Sequence, residues 1–204
     1  MTIERGQAWG HPGRLPEHGV VVRSDAEARS VVEQARRAGD PLPQLGLLGG
    51  DLCRTVGGRG DQDRLHSDDA ITVSVDVGSV LIDGRHHWFV AHLVVHRPRW
   101  AGPFFVAMNA EHLGPWDVAP RSHPNDGLLD TLEGELSAGD RWRARSRLPT
   151  GTHVPHPGII EQRVKAGQRS FERPLPVWLD GQRISTGARR LSFRVEPDAL
   201  LCVV

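Results

Sequence analysis

The chain has 204 residues, 38% of them apolar and 25% charged, with basic and acidic residues balanced at 25 each. That length supports one well-buried core or two small lobes, and the composition is that of a folded domain rather than a disordered one. With no net charge there is no overall field to draw the molecule to nucleic acid or to an anionic membrane, so any lipid or nucleotide contact must be local.

No apolar run approaches the roughly 20 residues that cross a bilayer, and Met1 to Arg14 lacks the apolar stretch of a secretory signal, so a cytoplasmic location is the expectation. Cys53 and Cys202 lack the close spacing of a zinc site and read as small buried residues in a reducing compartment.

Residues 1–19 carry four glycines and two prolines and read as an extended arm. Val20 to Arg23 is a short strand. Ser24 and Glu27 have capping-box spacing, Ala28, Val31, Val32 and Ala35 recur with a helical period, and Gly39 supplies the stop. Gln44 to Leu48 is the next strand, ending at Gly49-Gly50-Asp51, so the strands of this β-α-β unit should run parallel. The polar stretch from Arg54 to Asp69, with Gly58-Arg59-Gly60-Asp61, reads as a solvated loop.

From Ala70 the period changes to two, with Ile71, Val73, Val75 and Val77 alternating and Asp83-Gly84 making a hairpin turn. The return strand is expected over His86 to His96, and Phe104 to Met108 is another apolar run. Leu136 to Leu148 reads as a helix, with Arg141, Arg143, Arg145 and Arg147 spread over most of its faces. A Pro- and His-rich turn spans Pro149 to Pro157, followed by a strand near Ile159 to Val164. Two late hairpins are expected, Val177 to Ile184 turning at Asp180-Gly181 and Leu191 to Val204 turning near Pro197-Asp198. The sum is an α+β fold. A small, truncated Rossmann-like β-α-β portion over 20–69 packs on a larger antiparallel, sandwich-like β lobe over 70–204.

Between Asn109 and Asp130, NAEHLGPWDVAPRSHPNDGLLD, turn residues alternate with the apolar anchors Trp116, Val118, Leu128 and Leu129. Such a segment lies ordered on a core and presents polar groups from tight backbone positions. Asp51, at the end of a parallel strand, stands where open α/β sheets place ligands, with strand-ending turn as the plain alternative. Asp126 in Asn125-Asp126-Gly127 suits a hard cation or a turn that satisfies its own backbone. Asp117 and Asp130 read as structural. His86, His92 and His96 share a strand face, but His92 and His96 stand roughly 13 Å apart at about 3.3 Å per residue, too far for one ion. No zinc is expected, and His153 and His156 read as packing or turn-capping residues.

Three pieces in order, Gly49-Gly50-Asp51, the Asn109 segment with Ala119-Pro120 and Asp126-Gly127-Leu128-Leu129-Asp130, and Leu179-Asp180-Gly181, resemble the catalytic fold of the diacylglycerol/sphingosine-type lipid kinases. The resemblance covers most of the chain from about residue 20 and is that of a short, divergent bacterial-type member. It implies ATP and Mg²⁺ as cofactors and a lipid hydroxyl as phosphoryl acceptor. Gly49, Gly50 and Asn109 would lie at the nucleotide, Asp51 would serve as base or phosphate-loop residue, and Asp126 would sit in the magnesium network, with Asp51, Asp126 and Gln182 meeting at one cleft. Three positions depart from the family pattern. Leu52 and Cys53 replace a glycine and a small hydroxyl residue, and Gln182 replaces a glutamate; an amide cannot act as base, and losing one costs about 10²- to 10⁴-fold in rate. Two functions follow: a weak or degenerate lipid kinase, or a non-catalytic module that binds a lipid, a nucleotide or a protein. Nothing requires an oligomer.

Overall fold

The computed structural model describes residues 9–204; the first part of the expected arm, residues 1–8, lies outside the described residues. The rest of the arm is more ordered than its composition suggests. Its strand β1 (Gly10–Pro12) pairs antiparallel with a later strand, Gly10 opposite Val73, and Leu15 is buried against Leu65, Ala70 and Val203. Leu65 also gives part of the expected solvated loop a buried anchor.

Strand β2 (Val20–Val22) leads into helix α1 (Asp25–Ala38), whose ends form as the spacing predicts. Ser24 Oγ accepts the Glu27 N–H at 3.2 Å, and the Glu27 carboxylate accepts the Arg23 N–H at 2.7 Å. Gly39, at φ 77°, turns the chain out of the helix while its N–H bonds Ala35 O. Ala28, Val32 and Ala35 face the core. Strand β3 (Leu45–Leu47) lies parallel to β2, Val20 opposite Leu45, and the short helix α2 (Asp51–Thr55) follows.

Strand β4 (Ile71–Ile82) runs without interruption, because Gly78 leaves room for a ring: a Cβ there would lie 2.1 Å from Phe89 Cζ. After the Asp83-Gly84 turn, the expected single return strand is two strands, β5 (Arg85–Phe89) against β4 and β6 (His92–Val95), which pairs with other partners. The break has a cause at the far end of the chain. Asp180 accepts the Val90 N–H at 3.0 Å on one oxygen, and the Ala91 and His92 N–H groups at 2.9 and 3.0 Å on the other. Three consecutive amides turned toward one carboxylate cannot also alternate along a ladder.

The remaining strands are β7 (Pro103–Met108), the small ribbon β8 (His112–Leu113) and β9 (Trp116–Asp117), β10 (Leu129–Glu135), β11 (Ile159–Val164), β12 (Ala166–Leu179) and β13 (Gln182–Val203), with helix α3 (Ala138–Arg147) between β10 and β11. The last expected hairpin is absent. Strand β13 continues along β4 to Val203, and Pro197-Asp198 is an outward bulge: the pairing advances four residues, Glu196 to Leu200, against two on β4, Val77 to Val75. Asp76 holds the bulge, accepting the Asp198 N–H at 2.9 Å.

Eleven strands follow one hydrogen-bonded network in which β3 pairs in parallel with the end of β13, Leu45 opposite Cys202. Main-chain hydrogen bonds thus stitch the N-terminal unit to the antiparallel lobe. Side chains alternate along β6 and β7: Leu93, Val95, Phe105 and Ala107 enter one core with Phe89, Leu179 and Phe193, while Val94, Val106 and Met108 face a second with Val118 and Leu132.

Replacing Asp180 by Ala strips three buried amides of their acceptor and is expected to cost at least about 3 kcal/mol. Asp180→Asn, which keeps one oxygen and tolerates the φ of 49° at this position, should lose less. Urea denaturation of the two variants checks the ranking.

Candidate functional site

The Gly-Gly-Asp turn joins β3 to α2 under the first turn of α1. A Cβ on Gly49 would lie 2.5 Å from the Arg23 carbonyl oxygen; one on Gly50, at φ 99°, would lie 2.4 Å from an Asp25 oxygen. The glycines therefore admit a close approach of the α1 N-terminus. Asp25 uses it: its carboxylate accepts the Asp51 N–H at 2.6 Å and the Leu52 N–H at 3.0 Å. The free amides at the start of α2 are occupied by this internal anion, and the Leu52 and Cys53 side chains point into the core.

Asp51 faces the other way. Its Oδ2 accepts the Gly114 N–H at 2.8 Å and stands 3.0 Å from His92 Nε2. His92, 2% exposed, opens β6 and is fixed from behind by the Asp180 bond to its backbone. Burial works against a charged imidazole, but the hydrogen bond to Asp51 and the negative charges of Asp180, Asp25 and Asp51 prevail and raise the His92 pKa. Burial likewise pushes the Asp51 carboxyl up, and the His92 hydrogen bond, the Gly114 N–H and the charges of His92 and His112 more than reverse it. Burial raises Asp25 despite its two amides. Both shifts favour the charged pair over the neutral one. Ligand atoms of Asp25, Asp51 and His92 lie within 4.8 Å of one another, so this is also where a metal ion could be held, in competition with the imidazole proton.

The other expected site residues make no direct hydrogen bond to Asp51 among the described residues. Gln182, at the start of β13, accepts from the guanidinium of buried Arg29, one helical turn along α1 from Asp25; Arg29 also pairs with Glu33 at 3.4 Å. Asn109 is interior, its Nδ2 donating to the carbonyls of Asp76 and Val90 at 2.9 and 2.8 Å. Asp126 caps its own turn through the Leu128 N–H at 2.9 Å and is ion-paired with Arg163. Arg163 Nε also stands 3.3 Å from Asp130, whose second oxygen is buried without a partner. Among the described residues no hydrogen bond or ion pair joins Asp126 directly to Asp51, and each carboxylate is held by partners of its own.

Sequence reasoning weighed His92 only as a zinc ligand and passed over Asp25 and Asp76 as site residues. Nothing in local spacing marks them, because their partners lie 26 to 122 positions away. His86 bonds Ser79 and His96 stacks between Trp100 and Trp178, so the three histidines of the expected strand face serve three different places.

A cavity of about 180 Å³ lies over β7 and β10, roofed by α3 and the β8–β9 ribbon. Phe104, Val106 and Leu132 form its floor; Trp100, Trp116 and Trp142 stand around it, with Arg99, Arg141 and Arg145 among the lining residues. Trp142 is 73% exposed, an unusual position for the largest apolar side chain.

No family model matches the sequence, and no curated protein matches it. Solved structures do. Two provisionally named diacylglycerol kinases from Bacillus anthracis str. Sterne superpose with TM-scores of 0.66 and 0.67 at 14% identity, each match covering 91% of this chain and 77% of the other. A diacylglycerol kinase from the same organism superposes with a TM-score of 0.62 at 16% identity, covering 91% and 75%. The chain has the diacylglycerol-kinase-like lipid-kinase fold, as the three sequence pieces imply, and no described helix is long and apolar enough to cross a membrane.

Two titrations check the polar clusters. His92 should titrate above its ordinary 6.5 in an NMR experiment and move down in Asp51→Asn. Burial raises Asp130 from 3.8 to about 6 against the pull of Arg163. An acid whose pKa rises on folding stabilises the fold below its unfolded value, and that contribution disappears as pH climbs through the folded value. The stability of Asp130→Asn relative to wild type should therefore increase between about pH 4 and pH 6 and level off above, as read from urea midpoints.

Proposed function

We propose that this chain is a non-catalytic lipid-binding protein on the lipid-kinase fold, with the nucleotide side of the site closed by its own side chains. The observation that carries this reading is the Asp25 carboxylate on the Asp51 and Leu52 amides. A phosphate bound at such a turn needs those N–H groups and the positive end of the helix. An internal carboxylate takes both and repels a second anion. ATP does not fit at Gly49, Gly50 and Asp51 in this reading.

The other departures point the same way. Asp126 already has a cation in Arg163, so Mg²⁺ would have to displace a guanidinium. The Gln182 carbonyl is engaged by Arg29 and the Asn109 amide by two main-chain carbonyls. What is left open is the apolar cavity, and lined by aromatic and aliphatic groups with a few polar ones it has the character of a site for an apolar molecule. The named activity of the structural neighbours makes a lipid the natural class of ligand.

Calorimetry with ATP and Mg²⁺ should give no saturable heat, while the emission of the cavity tryptophans should shift saturably with a lipid amphiphile. Heat of ATP binding abolished by Asp126→Ala would restore the kinase reading.

A further inference from the structure

The polar atoms of the cavity narrow its ligand further. Its lining holds three guanidinium groups, Arg99, Arg141 and Arg145, and no carboxylate. None of the three forms an ion pair among the described residues. Arg141 spends one nitrogen on the Leu136 carbonyl at 3.2 Å, and Arg145 lies over the Trp116 ring, 5.2 Å from its centre. The two stand four residues apart, on one face of α3.

His153 gives an independent pointer. It lines the same cavity and is 3% exposed; the Val118 backbone comes near the ring without reaching hydrogen-bond geometry, and both ring nitrogens are left without a well-formed partner. Burial holds the imidazole below its ordinary pKa over the opposing pull of Asp117, the Val118 backbone and Glu161, so it is neutral near pH 7, with one donor and one acceptor. Asp117 and Glu161 are not among the lining residues. A buried polar group without a partner costs about 1–3 kcal/mol, and the usual explanation is a missing one. Asp117 and Val118, beside His153, directly follow Trp116 under Arg145, so imidazole and guanidinium mark the same end of the cavity.

Size selects further. An engineered apolar cavity of about 150 Å³ holds one benzene-sized molecule, so the space here of about 180 Å³ takes one short hydrocarbon chain, of about seven carbons by the same measure, rather than two.

We propose that the cavity binds a single-chain lipid with an anionic head, the chain lying against Phe104, Val106 and Leu132 and the head between Arg141, Arg145 and His153. This rests on the lipid-binding reading and adds the class of ligand. Charge-assisted bonds from guanidinium to a carboxylate or phosphate head supply the selectivity.

The test titrates the full chain with octanoate, octanoyl lysophosphatidate, octanol and dioctanoyl phosphatidate, below their aggregation limits, following tryptophan emission. The two single-chain anions should bind at least about tenfold more tightly than the alcohol, the difference expected for one charged hydrogen bond. Arg141→Gln combined with Arg145→Gln should erase the difference. His153→Leu should weaken octanoate about tenfold without lowering the Tm of the ligand-free protein. Equal binding of acid and alcohol would overturn the anionic head while leaving lipid binding intact. Tighter binding of the two-chain phosphatidate would overturn the single chain. A lower Tm in His153→Leu would make that residue structural and remove it from the site. No saturable binding of any of the four would take the lipid-binding reading with it.

Discussion

The fold turns on one carboxylate. Asp180 sits at the tip of the β12–β13 hairpin and accepts three successive amides from the Val90-Ala91-His92 corner. That corner is where the chain leaves its pairing with β4 and starts a strand that pairs with β7 and β12. Asn109 closes the same corner from the other side, its N–H on the Ala91 carbonyl and its side chain on those of Val90 and Asp76. Asp76 in turn holds the β13 bulge and, through the Gly127 N–H at 2.7 Å, the Asp126 turn. A continuous polar chain therefore runs through the interior from the hairpin tip to the turn-rich segment. Each link satisfies backbone groups that a regular ladder would otherwise have paired.

This explains what the sequence reveals and what it hides. The capping box at Ser24, the αL stop at Gly39 and the turns at Asp83-Gly84 and Asp180-Gly181 are local: the residues that decide them lie within four positions, and each is legible. The break at Val90-Ala91 is not, since a run over residues 88–95 that is apolar but for His92 reads as strand and only a carboxylate 90 positions away turns its amides. The missing final hairpin has the same origin. Pro197-Asp198 is a sound turn signal, but Asp76 converts the turn into a bulge and the strand resumes.

Site residues follow the same division. Gly49-Gly50-Asp51 marks the right place, and the structure gives those glycines a different occupant. A glycine pair reports that something approaches the backbone closely, and the sequence does not say what. Here the guest is Asp25, placed by a helix whose N-cap is legible but whose first-turn carboxylate looks like ordinary compensation of the helix dipole. His92 was hidden in the same way, as one of three histidines on an apparent strand face.

The segment from Asn109 to Asp130 connects the two halves of the proposal. Its Gly114 N–H closes over Asp51, adding a donor that holds the carboxylate ionised beside His92. Two residues on, Trp116 packs in the core of Val106 and Leu132 and carries Arg145, and Val118 completes the wall of the cavity. The ribbon does both with different groups: the main-chain N–H at its turn closes the polar cluster, and the paired side chains of Leu113 and Trp116 shape the apolar space. Closing the nucleotide side and keeping the cavity then need no separate elements: the ribbon that excludes an anion from Asp51 is the one that positions Arg145 and backs His153. A shift of this ribbon would disturb both at once, so the ligand-binding side inherits its rigidity from the closed one.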